Sequence, residues 1–84
     1  MAHVQIAYHR PTGLSEHELR SWLVGRAGSL MSLRLEPAGM ESDRGVVHVT
    51  VGESFPPMLA QDAIGGLVGD MRMLGLRPAI LPSA

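Results

Sequence analysis

The sequence has no cysteine, no lysine and no asparagine among its 84 residues. Without cysteine, the chain forms no disulfide, no thiolate nucleophile and no cysteine-ligated zinc or iron–sulfur centre. Without lysine, it lacks the residue that a Walker-type phosphate loop requires. The same absences, beside abundant alanine, glycine and arginine, point to a GC-rich bacterial genome.

The chain also has little net charge and no long apolar run. Seven arginines and eight acidic residues give a formal net charge of −1, which exerts no long-range attraction on nucleic acid or anionic lipid. No apolar run approaches the roughly 18 residues that span a bilayer, and the opening "MAHVQIAYHRPTG" lacks the pattern of a signal peptide. We therefore expect a cytoplasmic protein that binds neither membranes nor nucleic acid.

Length and hydrophobic content indicate one small globular unit. Hydrophobic residues make up 45% of the chain, and its length fits a single domain over residues 1–84. A domain of this size buries a limited core, so association with another subunit adds stability. We expect a homo-oligomer or a complex with another protein.

Alternation of apolar with polar or small residues predicts strands. In "HVQIAYH", Val4, Ile6 and Tyr8 take one side, and "SLMSLRLEP" and "VVHVTV" alternate in the same way. The short segment "LRPAILP" contains two prolines, which predicts an edge strand because proline cannot donate to a sheet ladder.

Two segments have the signals of helices. Ser15 and Glu18 form a capping box, and Leu14 and Leu19 occupy the positions of a hydrophobic staple, which predicts a helix over residues 16–27. A second helix is expected to begin at Pro56 or Pro57, to run to about Leu74 and to stop at Gly75.

The order strand, helix, strand, strand, helix, strand predicts an α+β, ferredoxin-like fold. This is a two-layer βαββαβ sandwich, with a four-stranded antiparallel sheet and both helices on one face. Right-handed crossovers place the first and third strands in the centre. The other face then carries a mixed set of side chains: Gln5, Ala7, His9, Leu30, Ser32, Arg34, Val46, His48 and Thr50.

The stretch "IGGLVGDM", residues 64–71, places three glycines inside the second helix. A phosphate loop opens a helix rather than interrupting it, so this stretch does not fit that motif. Each interior glycine costs roughly 1 kcal/mol relative to alanine, which leaves three explanations: a kink, a close backbone contact, or glycines that the helix tolerates without a function. We predict an interface at Gly65, Gly69 and Met73, with the first helix or a second subunit as the partner.

Histidines and arginines are the candidates for ligand contacts. His3 and His9 lie about 20 Å apart along one strand, and no carboxylate is placed to complete a metal site, so we predict no metal. His9 and His48 become neighbours only in a suitable strand register. With no Ser–His–Asp order and no paired carboxylates, we assign no catalytic residue and no cofactor. Small-molecule contacts are assigned to His9, Arg10, Arg34 and His48.

Two family resemblances bear on function. The topology resembles the RRM family, which stacks RNA bases on aromatic side chains of the central strands, but the outward positions here hold no Phe, Tyr or Trp. The segment "HRPTGLSEHEL" resembles, over about ten residues, the strand-to-helix turn of ACT-type regulatory domains, which dimerise around a small ligand. His9 stands where those turns carry Asp, and Thr12 separates Pro11 from Gly13.

These observations favour a small non-enzymatic binding or interaction module, as a homodimer or as an accessory component of a larger assembly. The alternative is a dimeric α+β-barrel enzyme or an ACT-like small-ligand-binding regulatory domain. That alternative uses the cleft between sheet and helices, with His48 or His9 and Arg34 as polar anchors.

Overall fold

A computed structural model describes residues 2–26, 31–39 and 42–82. Its elements follow the order β1, α1, β2, β3, α2, β4. Their bounds are β1 Ala2–His9, α1 Glu16–Arg26, β2 Met31–Pro37, β3 Arg44–Val51, α2 Pro57–Met73 and β4 Ala79–Ile80. The predicted α+β class, with a four-stranded antiparallel sheet and two helices, is therefore confirmed.

The strands lie in the order β2-β3-β1-β4, so β3 and β1 occupy the centre of the sheet. Their pairing runs from Ala2 opposite Val51 to His9 opposite Arg44. Strand β4 pairs with β1 only through Ile6 and Ala7. The first strand of the chain is therefore the one that joins the hairpin β2–β3 to β4.

One hydrophobic cluster holds the two layers together. It joins the alternate side chains of the strands to the apolar stripes of both helices: Ile6, Tyr8, Leu19, Leu23, Leu35, Val47, Val49, Val51, Leu67, Val68, Met71 and Leu76. Because both helices contribute to the same cluster, they pack on the same face of the sheet. The pKa of the Tyr8 phenol is raised above its usual value of 10.0, mainly by burial and to a smaller extent by the negative charge of Glu16. The phenol is therefore protonated at neutral pH.

The predicted cap of α1 is present. The Ser15 hydroxyl oxygen accepts a hydrogen bond from the Glu18 N–H at 3.1 Å, and the Ser15 N–H donates to the Glu18 carboxylate at 3.3 Å. Leu19 is fully buried and Leu14 packs against the core, as the staple requires. The start of this helix is therefore predicted by local signals in the sequence. Gly28, the residue after its predicted end, lies outside the described residues.

Helix α2 begins at Pro57 and runs without interruption through all three glycines. Its last residue is Met73, and Gly75, the residue expected to stop it, follows the C-cap Leu74 with a φ of +81°. The Gly75 N–H donates to the Arg72 carbonyl and the Leu76 N–H to the Met71 carbonyl, the pair of bonds of a Schellman motif. Leu76 and Met71 are both fully buried, which supplies the hydrophobic contact that accompanies this motif.

Strand β3 begins earlier than the sequence predicts. The predicted strand "VVHVTV" begins at Val46, which left Arg44 and Gly45 in the preceding loop, yet both residues belong to β3 and pair with His9 and Tyr8. Glycine weakens a strand on propensity alone, which is why the sequence pattern assigned it to the loop. The aromatic ring of Tyr8, directly opposite, covers Gly45 and compensates for its missing side chain.

Candidate functional site on the open face of the sheet

One face of the sheet is turned away from both helices, and we call it the open face. Its side chains belong to the strand positions that alternate with the core: His3, Gln5, Ala7, His9, Ser32, Arg34, Glu36, Arg44, Val46, His48, Thr50 and Ala79. None of them belongs to the buried core. Polar groups therefore dominate this face, and its described apolar members are the half-buried Ala7 and Val46 and the exposed Ala79. Leu30, which the sequence assigned to this face, lies outside the described residues.

A line of three hydrogen-bonded side chains crosses the open face from β2 to β1. The Nε2 atom of His48 lies 2.5 Å from Glu36 Oε2, and its Nδ1 atom lies 3.2 Å from His3 Nε2. The two imidazole planes differ by 3° and their centroids are 5.3 Å apart. Because the centroids are much farther apart than the nearest nitrogens, the rings meet edge to edge. We call this arrangement the Glu36–His48–His3 chain.

The donor and acceptor roles in this chain follow from its carboxylate end. An ionised carboxylate only accepts hydrogen bonds, so His48 Nε2 carries the hydrogen that it donates to Glu36. When the His48 ring is neutral, its other nitrogen is an acceptor, so His3 Nε2 then donates to His48 Nδ1. In that state the remaining ring nitrogen, His3 Nδ1, keeps a lone pair. A carboxylate that orients an imidazole in this way is the arrangement used by general bases and by metal-binding histidines.

The cationic neighbour of this chain is Arg34. It pairs directly with His48 in the β2–β3 register, and its guanidinium lies 3.8 Å from Glu36 Oε2. Both side chains of this ion pair are largely exposed, so solvent screens it and it adds little stability. The side chain of His48, by contrast, is only 13% exposed, and its two ring nitrogens contact Glu36 and His3.

The four predicted ligand contacts fall into two separate groups. Arg34 and His48 are cross-strand neighbours, whereas His9 is four residues along β1 from Gln5, the residue opposite His48. At about 3.3 Å per residue, that separation is about 13 Å, too long for a direct contact. The open face also lies away from the helices, so His9, Arg34 and His48 do not line the cleft between sheet and helices.

Arg10, the fourth predicted contact, is engaged in the turn after β1. Its Nη1 donates to the Leu14 carbonyl at 2.8 Å, and its Nη2 lies 3.7 Å from Asp43. The turn is closed by a bond from the Leu14 N–H to the Pro11 carbonyl, and Gly13 has a φ of +94°. Arg10 thus stabilises the connection that orients α1, which is a structural role.

His3 and Glu36 were missed as partners of His48. The sequence did place His3 on the outward side of β1, and its alternation gives Glu36 the same parity on β2. Two registers, Gln5 opposite His48 and Arg34 opposite His48, then bring them together. Alternation determines which face a residue takes, but the register depends on turn geometry that the sequence did not reveal.

The glycines of α2 form a second feature, away from the sheet. On one side the helix faces α1 across a cavity of about 360 Å³. The cavity is lined by Gly25, Arg26, Met31, Ala63, Gly66 and Leu67. An ion pair between Arg26 and Asp70 joins the helices on that same side. By the helical period, Gly65 and Gly69 lie on the flank that faces away from α1.

We call this flank of α2, composed of Met58, Asp62, Gly65, Gly69 and Met73, the glycine face. A Cβ atom built on Gly65 or Gly69 meets no atom within 4 Å, so no described residue of the chain approaches them closely. Met58 and Met73 are 79% and 87% exposed. The glycines are therefore not explained by packing against α1, the first of the two partners considered for them.

Comparison of the chain with protein-family models, with curated proteins and with solved structures finds no significant match. Within the described ranges, neither helix combines the length and the apolar character needed to cross a membrane. In the same part of the chain, no three His, Asp or Glu side chains are grouped in a way that suits a metal ion.

Proposed function

We propose that the protein is a small binding module that forms a homodimer through the glycine face of α2. The observation that supports this proposal is the glycine pair on an exposed flank. Each interior glycine costs a helix roughly 1 kcal/mol relative to alanine, and nothing within the described chain makes use of the space. A second helix lying against Gly65 and Gly69 uses that space, because the missing side chains let two backbones approach.

The glycine face suits a second copy of the chain because it is self-complementary. In an antiparallel pairing centred between Gly65 and Gly66, Met58 of each copy lies opposite Met73 of the other. The same two-fold axis places Asp62 over Gly69, where no side chain obstructs the carboxylate. Such isologous contacts, in which the same patch serves both subunits, are typical of two-fold dimers.

The oligomeric state tests this proposal. We expect sedimentation equilibrium at high micromolar concentration to give twice the 9.0 kDa mass of the chain. Met73→Glu should shift the equilibrium to the monomer, because it places a carboxylate in an apolar contact. Val24→Glu is the matched control, since Val24 is 75% exposed on α1, away from this surface, and its replacement should leave the mass unchanged. A wild-type mass of 9.0 kDa under these conditions would contradict the proposal.

The element order and the central position of β3 and β1 support a ferredoxin-like architecture in a single domain, and we include both in the proposal. The apolar members of the open face are few, so the exposed methionines of α2 give the stronger argument for a protein contact. Cytoplasmic location and bacterial origin remain predictions from the sequence.

The Glu36–His48–His3 chain favours a second candidate function, an enzyme or small-ligand binder that uses the open face. In this alternative His3 Nδ1 accepts a proton from a bound molecule, His48 holds the His3 ring in place, and Glu36 fixes the tautomer of His48. Proton transfer by a positioned histidine is the commonest form of general base catalysis. Arg34, on the same face beside His48, is then a cation that can stabilise a developing negative charge.

Nitrogen-15 NMR of the imidazole rings tests this arrangement. We expect His48 to carry its hydrogen on Nε2 at a pH where the ring is neutral, and Glu36→Gln to give a mixture of both tautomers, because an amide donates as well as accepts. Asp62→Asn, on α2, is the control and should leave the His48 signals unchanged. A tautomer mixture in the unmodified protein would exclude a carboxylate-oriented histidine and remove the support for the enzyme alternative.

A further inference from the structure

Three basic residues lie side by side at one end of the open face, and we call them the basic row. His9 on β1 is paired with Arg44 on β3, and Arg77 lies on the other side of His9, just before β4. All three line one cavity of about 260 Å³, whose floor includes Ala7. The basic row therefore spans three neighbouring segments of the sheet.

No carboxylate of the described residues neutralises the charges of the basic row. Among residues 2–26, 31–39 and 42–82, no carboxylate forms an ion pair with Arg44 or Arg77. Asp43, the acidic neighbour of Arg44 in the sequence, is paired with Arg10. Two guanidinium groups and an imidazole thus face a cavity that lacks a negative partner in the described structure.

The backbone at Arg77 shows how the third cation reaches this cavity. Because Ala7 pairs with Ala79, a regular ladder would place Arg77 opposite His9. The His9 N–H instead donates to the Leu76 carbonyl at 2.7 Å, so the segment before β4 contains one extra residue. Arg77 takes up this extra residue with a φ of +49°, in the left-handed region that non-glycine residues rarely adopt. Extra residues of this kind re-aim a side chain, and strained backbone of this kind is frequent at binding sites.

We propose that the basic row binds a phosphate group, either free or as the monoester of a small molecule. A phosphate monoester has three terminal oxygens and carries close to two negative charges at neutral pH, and inorganic phosphate has four oxygens, so either supplies an acceptor for each of the three donor groups and negative charge for the two guanidinium groups. A carboxylate offers only two oxygens and one charge. Guanidinium forks bind phosphate oxygens in pairs, which makes arginine well suited to this role. The Glu36–His48–His3 chain takes no part in this site.

A titration with inorganic phosphate at constant ionic strength, followed by NMR of the full chain, tests the proposal. We expect saturable shifts of the His9 ring and of the Arg44 and Arg77 side-chain N–H signals. Removing either guanidinium should weaken binding about ten- to hundredfold, as expected for a lost charge-assisted hydrogen bond. Arg20→Ala is the matched control, because Arg20 is exposed on α1 and already paired with Glu16, and it should bind phosphate as the unmodified protein does.

Two variants at Arg77 separate ligand binding from folding. Arg77→Gly removes the guanidinium but accommodates the positive φ more easily, so stability should hold or rise while phosphate affinity falls. Arg77→Lys keeps a charge and should retain part of the affinity. Phosphate shifts that do not saturate, or equal affinity in Arg44→Ala, Arg77→Gly and Arg20→Ala, would overturn the proposal.

Phenyl phosphate distinguishes the two sources of the group. Tighter binding than inorganic phosphate assigns the site to phosphomonoesters, and equal or weaker binding assigns it to free phosphate. The basic row lies on the sheet and the glycine face on α2, so the affinity measurement and the dimer mass are independent. The phosphate site therefore stands or falls without affecting the proposed dimer.

Discussion

Gly45→Ala is expected to destabilise the fold by about 2–3 kcal/mol, at the upper end of what overpacking costs. A Cβ atom at this position lies 2.6 Å from Tyr8 Cζ and 2.7 Å from the Glu36 carbonyl oxygen, and it also overlaps the Tyr8 hydroxyl. The ring of Tyr8 is held in the core and the carbonyl belongs to the neighbouring strand, so neither moves freely. For a domain of this size, such a loss lowers the Tm by roughly 10–20 °C.

Urea denaturation and thermal unfolding measure this loss, with Gly39→Ala as the control. A Cβ atom on Gly39 makes only an ordinary contact with Ser42 at 3.8 Å, so its replacement should change stability by less than about 0.5 kcal/mol. Combining Gly45→Ala with Tyr8→Leu should cost less than the sum of the two single changes, because the second removes part of the clash. If Gly45→Ala and Gly39→Ala have equal effects, Tyr8 does not cover Gly45 as described.

Replacing both Gly65 and Gly69 by alanine should have opposite effects on folding and on association. Alanine gains about 0.8–1.0 kcal/mol over glycine at each interior helix position, and neither new side chain meets an atom within 4 Å. The monomer should therefore be stabilised by about 2 kcal/mol, which raises its Tm by roughly 8–16 °C. The dimer should weaken, because the added methyl groups hold the two backbones apart.

Gly25→Ala is the control for this pair. Gly25 lies in the last turn of α1, where an added Cβ atom meets no atom within 4 Å, so its replacement adds helix propensity without adding bulk to the glycine face. Thermal unfolding in dilute solution gives the monomer effect, and sedimentation at high concentration gives the association. If the double variant is stabilised and its mass is unchanged, the glycines do not form a close contact and the proposed interface is wrong. If it is not stabilised, α2 does not run straight through these positions.

Most of the fold follows from local patterns in the sequence. Alternation at Val4, Ile6 and Tyr8 gave the core side of β1, and the capping box at Ser15 gave the first residue of α1. Gly75 marked the end of α2, because a left-handed residue there is satisfied most easily by glycine. These features depend on neighbours a few residues apart, which is why the α+β class with its strands and two helices was predicted.

The candidate sites depend on distant parts of the chain, and there prediction from the sequence was limited. His48 was identified, but its partners His3 and Glu36 come from two other strands in a register that no local signal gives. Arg44 was assigned to a loop, because the role of Gly45 beside it appears only once Tyr8 lies opposite. Arg77 reaches the basic row through one extra residue before β4, which a pattern of alternation does not detect.

The central position of β1 also affects the order in which the protein can assemble during synthesis. Its main partner, β3, is complete only at Val51, 42 residues after the last residue of β1. At about 5–20 residues per second, Val4, Ile6 and Tyr8 therefore wait about 2–8 seconds for a strand to pair with. During that interval the apolar side of β1 has no strand beside it and is exposed to association with other nascent chains.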